Sequence, residues 1–393
     1  MNKQEYMQRD RDYVLGTYGR SPVVLEKGEG MYAWDTDGRQ YLDLTSGIGV
    51  NSLGFSHPAW VEAVQKQAAQ LAHISNLYYT LPCSELAEKI VKRTGLSKVF
   101  FGNSGAEANE GLIKAARKYA TTTYGPERNV VVSLNNSFHG RTLATLTATG
   151  QDVFHHDFGP FNDGFMYAPA NDLNTLKEIC ENNPVCAVLM EPVQGEGGVM
   201  MLDPAFVQEA AAWLREKDIL LLFDEVQTGI GRTGTFLACE QLGVTPDGVS
   251  LAKGLGGGLP IGAVVLNEKM AAPMGPSSHG STFGGNPVAC AGANVVVDTL
   301  TEDFLAQVRK NAALLREQLA GMKHVKSITG LGLMVGIEFD EDVKAADVRR
   351  LCEEKGLLVL TAKTKLRLLP PLIISEKEIS EAMTVLREVL ENL

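Results

Sequence analysis

Between residues 60 and 270, short apolar runs alternate with stretches of helical periodicity. The runs at 99–101, 130–133, 187–190, 220–223, 248–251 and 262–266 are too short for buried helices, and their composition predicts strands. Between them, 106–119 places Ala108, Leu112, Ala115 and Tyr119 along one helical face, and 205–217 does the same with Phe206, Ala210, Trp213 and Leu214. Alternating strands and helices of this kind predict an α/β fold, a doubly wound and mostly parallel sheet with helices on both faces. A ligand in such a sheet binds at the carboxyl ends of the strands.

The flanks have a different texture. Residues 1–30 read as an arm, and 31–44 as a hairpin whose aromatic-rich strands flank Thr36-Asp37-Gly38. After 286, one long helical segment (287–322) leads to strand candidates at 333–339, 357–360 and 365–368 and a terminal helix from 376 to 393. The expected division is an arm and hairpin (1–55) that joins a smaller C-terminal α+β domain (286–393), with a large domain (56–285) between them. A net charge of −11 argues against nucleic acid or an anionic membrane as partner. The six cysteines are dispersed, with no C-x-x-C pair and no zinc spacing. That predicts no metal site and free thiols in a reducing cytoplasm. No apolar stretch reaches the ~18 residues of a spanning helix, and the N-terminus is polar and lacks the apolar core of a signal.

Two residues 29 positions apart suggest the chemistry. Asp224 ends the apolar run Ile219-Leu220-Leu221-Leu222-Phe223, and Lys253 leads into Gly254-Leu255-Gly256-Gly257-Gly258. A pyridoxal phosphate site needs this combination: an amine to form a Schiff base with the aldehyde, and a strand-end carboxylate to keep the pyridine nitrogen protonated. Other blocks add to it. Asn103-Ser104-Gly105-Ala106-Glu107-Ala108-Asn109-Glu110 follows a strand and opens a helix, a phosphate cradle built without a lysine. Phe138 could stack on a planar ring, and Arg141 could fork onto a carboxylate. Glu191 and Glu196, five apart at a strand end, suit acid–base work or pairing with an arginine. Gln227 could bond a phenolic oxygen, and the hydroxyls of Ser281 and Thr282 suit a phosphate. Taken singly, each block also fits a plain turn or helix cap, and His139 reads more simply as a structural loop histidine. Their order along the chain is the stronger signal.

In that order the chain resembles the class III aminotransferases of the aspartate-aminotransferase superfold (fold-type I pyridoxal phosphate enzymes) over nearly its whole length. The motifs Asn103–Glu110, Asp224–Gly229 and Lys253 are the most specific. Within the family the likeness is to acetylornithine aminotransferases, through Thr17-Tyr18-Gly19-Arg20, Ser46-Gly47-Ile48-Gly49-Val50-Asn51, Ser75-Asn76-Leu77-Tyr78-Tyr79 and Ser137-Phe138-His139-Gly140-Arg141-Thr142-Leu143. Phe283 departs from the family's frequent Tyr and Phe55 from its frequent His.

The resemblance implies roles residue by residue. Lys253 carries the covalent link, and Asp224 holds the ring nitrogen. Gln227 reaches the ring oxygen and Phe138 stacks on the ring. Ser104, Gly105 and Ala106 cradle the phosphate, and Glu225 and Val226 complete the cofactor site. Thr282 serves the phosphate of a partner subunit, so a homodimer with shared sites is expected. Arg141 and Ser281 contact acetylornithine, Arg367 binds a substrate carboxylate, and Glu196 masks Arg367 while one donor is bound. The implied reaction is transamination of N2-acetyl-L-ornithine with 2-oxoglutarate in arginine biosynthesis, giving N-acetyl-L-glutamate 5-semialdehyde and L-glutamate. Succinylornithine, ornithine, 4-aminobutyrate or lysine as donor stay open, as does, more remotely, a non-catalytic binding protein of the same fold. The intact Lys253 and Asp224 speak for catalysis. A nicotinamide fingerprint is not met, because the third glycine of Gly330-Leu331-Gly332-Leu333-Met334-Val335-Gly336 falls one residue late.

Overall fold

A computed structural model describes residues 2–393. Its centre is a seven-stranded sheet of β1 (Lys98–Gly102), β2 (Val130–Leu134), β3 (Phe165–Ala168), β4 (Val185–Met190), β5 (Leu220–Asp224), β6 (Gly248–Leu251) and β7 (Gly262–Leu266). The spatial order is β1-β7-β6-β5-β4-β2-β3. The contacts from β6 through β3 are parallel, and β7 runs antiparallel to both neighbours. The doubly wound, mostly parallel sheet predicted from the alternating pattern is therefore present. Sequence reading missed β3, a four-residue edge strand with no β-branched residue, whose side chains are mostly half-buried.

Both faces of the sheet are covered, and side-chain alternation sorts the residues between them. Leu220 and Leu222 pack with Ala108, Leu112 and Ala115 of the helix Gly105–Tyr124. Leu221 and Phe223 face the opposite layer, with Phe206, Ala210 and Leu214 of the helix Pro204–Glu216. Because each strand meets a hydrophobic layer on both sides, β4, β5 and β7 are buried along their whole length, which is why they read as unbroken apolar runs.

In the N-terminal hairpin, Tyr32–Asp35 and Gln40–Asp43 pair antiparallel, and Gln40–Asp43 continues in parallel onto Leu357–Leu358. A four-stranded antiparallel sheet (Val325–Leu331, Met334–Phe339, Lys365–Leu368, Leu360–Ala362) lies in the C-terminal part. The long helix expected over 287–322 is two helices, Pro287–Thr299 and Glu302–Leu319. Thr301 causes the break: its side chain accepts from the Phe304 N–H, and Glu302 and Asp303 complement the positive end of the new helix.

Candidate active site

The carboxyl ends of β1, β5 and β6, with the loop after β2, open onto a cavity of about 480 Å³. β1 turns through Asn103 into the helix Gly105–Tyr124, with Ser104 as N-cap. The first N–H groups of a helix have no intrahelical acceptor. Ser104 takes one of them, its Oγ accepting from the Glu107 N–H, while its carbonyl accepts the first intrahelical bond, from Ala108. Those of Gly105 and Ala106 are left for a ligand, and both residues line the cavity. Glycine is required at 105, because a Cβ there would sit 2.7 Å from Val226 Cγ1. The turn after β5 thus closes directly over the helix N-terminus, an anion cradle that fits a phosphate.

Asp224, the last residue of β5, is buried and lines the same cavity. Its Oδ2 accepts from Asn109 Nδ2 at 2.7 Å and from His139 Nδ1 at 2.8 Å, and its Oδ1 from the Val226 N–H at 3.0 Å. Ser250 Oγ donates to Asn109 Oδ1 at 2.6 Å, which fixes the amide so that its NH₂ faces Asp224. Three donors aim the carboxylate, as a partner for a ring N–H⁺ requires. His139, read from the sequence as a structural loop histidine, is buried and in direct contact with Asp224. The role of Asn109 was also missed, and its one sequence signal was an amide on an otherwise apolar helix face next to Ala108 and Leu112.

Lys253 follows β6 and lines the cavity with positive φ (42°). Burial pushes its ammonium below the usual lysine range, against the opposing pull of the Asp224 and Glu196 carboxylates. Phe138 also lines the cavity, its backbone N–H held by Glu191 Oε1 at 2.8 Å. Glu191 Oε2 accepts from the Gly195 N–H at 3.2 Å. Burial pushes the Glu191 carboxyl up to about 7. Of the two glutamates five apart, this one therefore anchors loops.

The other, Glu196, pairs with Arg367 at 2.6 Å. Burial would raise the Glu196 carboxyl, but the Arg367 guanidinium reverses this and holds it below the usual range. Arg367, buried on the strand Lys365–Leu368, also donates to Gln227 Oε1 at 3.2 Å, while its Nε has no partner. A Cβ on Gly195 would meet Gln227 Oε1 at 2.4 Å, so glycine there makes room for this pair. Gln227, Val226 and Arg141 line the cavity.

Glu196, Arg367 and the remaining predicted residues lie outside the cavity lining. Glu225 is fully buried and turned toward Thr228 and the Cys239 N–H. Ser281 Oγ accepts from Asn103 Nδ2 at 3.2 Å and from the Gly284 N–H at 2.9 Å. Thr282 is exposed.

Comparison with known proteins agrees with this geometry. The family described as aminotransferase class-III matches residues 15–390. The chain is 52% identical to an acetylornithine aminotransferase of Haemophilus ducreyi over 393 residues, covering 100% of each chain. Among solved structures, it is similar to an N-acetylornithine aminotransferase from Stenotrophomonas maltophilia (TM-score 0.85, 35% identity, 98% of each chain). It is also similar to an ornithine aminotransferase from Toxoplasma gondii in which PLP partly occupies the active site (TM-score 0.93, 33% identity, covering 99% of this chain and 94% of that one).

Proposed function

Because the chain belongs to the class III aminotransferases, we propose that it transfers the amino group of N2-acetyl-L-ornithine to 2-oxoglutarate, giving N-acetyl-L-glutamate 5-semialdehyde and L-glutamate. One observation carries the choice of substrates: the site has two arginines in opposite states, Arg367 paired with Glu196 and Arg141 without any ion pair among the described residues.

The enzyme is PLP-dependent. Gly105 and Ala106 would hold the phosphate with Ser104 shaping the cradle, Phe138 the ring face, Asp224 the ring nitrogen, Gln227 the ring oxygen and Lys253 the aldehyde carbon. When bound, the cofactor supplies an electrophilic carbon and an electron-accepting ring. Asp224, aimed by Asn109, His139 and Val226, would keep the ring nitrogen protonated. Lys253 would take the proton from the substrate carbon and deliver it to the cofactor's aldehyde carbon, acting as base and then acid. The desolvation that lowers its pKa favours the neutral amine that a base requires.

The reacting amine of acetylornithine sits on a CH₂, so no carboxylate adjoins the reacting carbon and Arg367 keeps Glu196. In glutamate and 2-oxoglutarate a carboxylate does adjoin it, and it displaces Glu196 to form a charge-assisted pair with Arg367. Arg141 receives the carboxylate at the far end of either substrate, with Ser281 beside it.

The reading extends to a homodimer with shared sites and to the division 1–55, 56–285 and 286–393. In its support, Thr282 is exposed beside Phe283, and the large side chains of Leu77, Tyr78 and Tyr79 are exposed nearby, around a second cavity shared with Gly284 and Gly285. Monomers seldom leave such apolar surface in water. A cytoplasmic setting is proposed on the six free cysteines. Among the described residues, no helix is long and apolar enough to cross a membrane.

Measuring kcat/KM with 2-oxoglutarate for acetylornithine, succinylornithine, ornithine, 4-aminobutyrate and lysine tests the assignment. Acetylornithine should rank first; a clear preference for ornithine or 4-aminobutyrate would overturn it.

A further inference from the structure

Arg141 poses a physical problem. It lines the cavity at the start of an exposed stretch, and no carboxylate or carbonyl among the described residues fixes its guanidinium. An unanchored arginine must be ordered each time it grips a substrate, at a cost in rotamer entropy. What holds it is aromatic: its guanidinium carbon lies 4.1 Å from the centroid of Phe154 and 5.4 Å from that of Phe138. The two rings meet edge to face, with centroids 5.7 Å apart and planes at 77°.

Phe154 is not there by chance packing of a loose loop. It ends the short 3₁₀ turn Asp152–Phe154, and its N–H donates to the Gln151 carbonyl. Gln151 is buried and its Nε2 donates to the Ser137 carbonyl at 3.0 Å. The Gly150 N–H donates to Ser137 Oγ at 3.0 Å, and the Asn136 N–H to the Gly150 carbonyl at 2.7 Å. Residues 150–154 are thus fastened to the loop that carries Phe138 and Arg141.

We propose that Phe154 is a positioning residue for substrate recognition: its ring face holds the Arg141 guanidinium flat and oriented, so that the far carboxylate of the substrate meets a preformed fork. A ring face suits this task where a carboxylate would not. An acidic partner would occupy the N–H donors and compete with the substrate. Stacking engages only the face of the guanidinium and leaves its in-plane donors free for two parallel hydrogen bonds. The proposal rests on the reading of Arg141 as the carboxylate-binding arginine, so the two are tested together.

The test compares Phe154→Leu, Phe154→Tyr and Arg141→Met in the cofactor-loaded enzyme. Two quantities are read: KM and kcat for acetylornithine, and calorimetric binding of N-acetyl-L-norvaline, which keeps the acetylated carbon and its carboxylate but lacks the reacting amine. Phe154→Leu should raise both KM and Kd about threefold to tenfold, as expected for loss of one cation–π contact. It should leave kcat and cofactor affinity within about twofold, because interactions made equally in ground and transition state appear in KM alone. Phe154→Tyr, which keeps the face, should restore wild-type values. If Arg141→Met weakens both ligands while Phe154→Leu leaves them unchanged, Phe154 is not a positioning residue and the reading of Arg141 stands. If Arg141→Met itself changes neither, the reading of Arg141 fails and the proposal with it. A Phe154→Leu enzyme that loses cofactor and kcat together and is not rescued by Phe154→Tyr would show a merely structural role and overturn the proposal.

Discussion

Asp224→Asn separates charge from shape at the centre of the site. The aspartate uses both oxygens: Oδ2 takes Asn109 Nδ2 and His139 Nδ1, and Oδ1 takes the Val226 N–H. An asparagine has one oxygen. If that oxygen serves Val226, its NH₂ points at two donors; if it serves Asn109 and His139, the Val226 N–H is left bare. Asn109 cannot turn its amide to compensate without losing Ser250, which donates to its Oδ1 at 2.6 Å. A buried donor left unpaired costs ~1–3 kcal/mol, so the variant should be less stable by about that amount. The catalytic loss is separate, because a neutral amide cannot hold a proton on the ring nitrogen. We expect kcat to fall at least ~100-fold, or about 3 kcal/mol in the barrier. Thermal melts and steady-state kcat at saturating cofactor measure the two effects independently. Asn109→Ala provides the control: it removes one donor but keeps the charge, so it should cost stability with a much smaller change in kcat. A cofactor-saturated Asp224→Asn enzyme that turns over within tenfold of wild type would refute the electronic role.

Three further outcomes follow from the same geometry. Glu196→Ala leaves Arg367 without its carboxylate partner, so glutamate should gain about tenfold in kcat/KM relative to acetylornithine; an unchanged ratio would remove Glu196 from substrate selection. The lowered pKa of Lys253 makes its amine free at lower pH than an ordinary lysine, so the rate of pyridoxal phosphate capture by the apo-enzyme should rise with pH and level off below the usual lysine range. The sign for stability is the same: where the unfolded lysine binds a proton that the folded one does not, apo-enzyme stability from this residue rises with pH, and a capture midpoint at or above 10.5 would contradict both. Finally, Lys253→Ala and Thr282→Asp should each be inactive as homodimers, while co-expression should return about a quarter of wild-type activity through hybrids with one intact site; silent, tag-verified hybrids would exclude a shared site.

The sequence made legible what depends on one element at a time. Strands buried on both faces had to be apolar throughout, and a charged residue ending such a strand, as Asp224 does, stands out. Lys253 was legible for a similar reason, because it enters a run of glycines directly after β6. Pairings between elements were not legible. His139 lies 85 residues before Asp224 and meets it only because the β2 loop and the end of β5 reach the same side of the sheet across β4. Glu191 and Glu196 look alike in sequence, yet one turns inward to two backbone N–H groups and the other reaches a strand of the C-terminal sheet. Arg141 and Arg367 differ in the same way. Arg367 is buried, so it needs a counter-charge, and Glu196 supplies it; in the proposed function a substrate carboxylate would replace it. Arg141 is exposed to water until substrate arrives, so it needs no counter-charge and can be steadied by rings alone. A permanent acid beside Arg141 would weaken every substrate equally, whereas in the proposed function the acid beside Arg367 would weaken only those with a carboxylate next to the reacting carbon. On the proposed reading, this difference in burial would let one site accept a donor with one carboxylate and an acceptor with two.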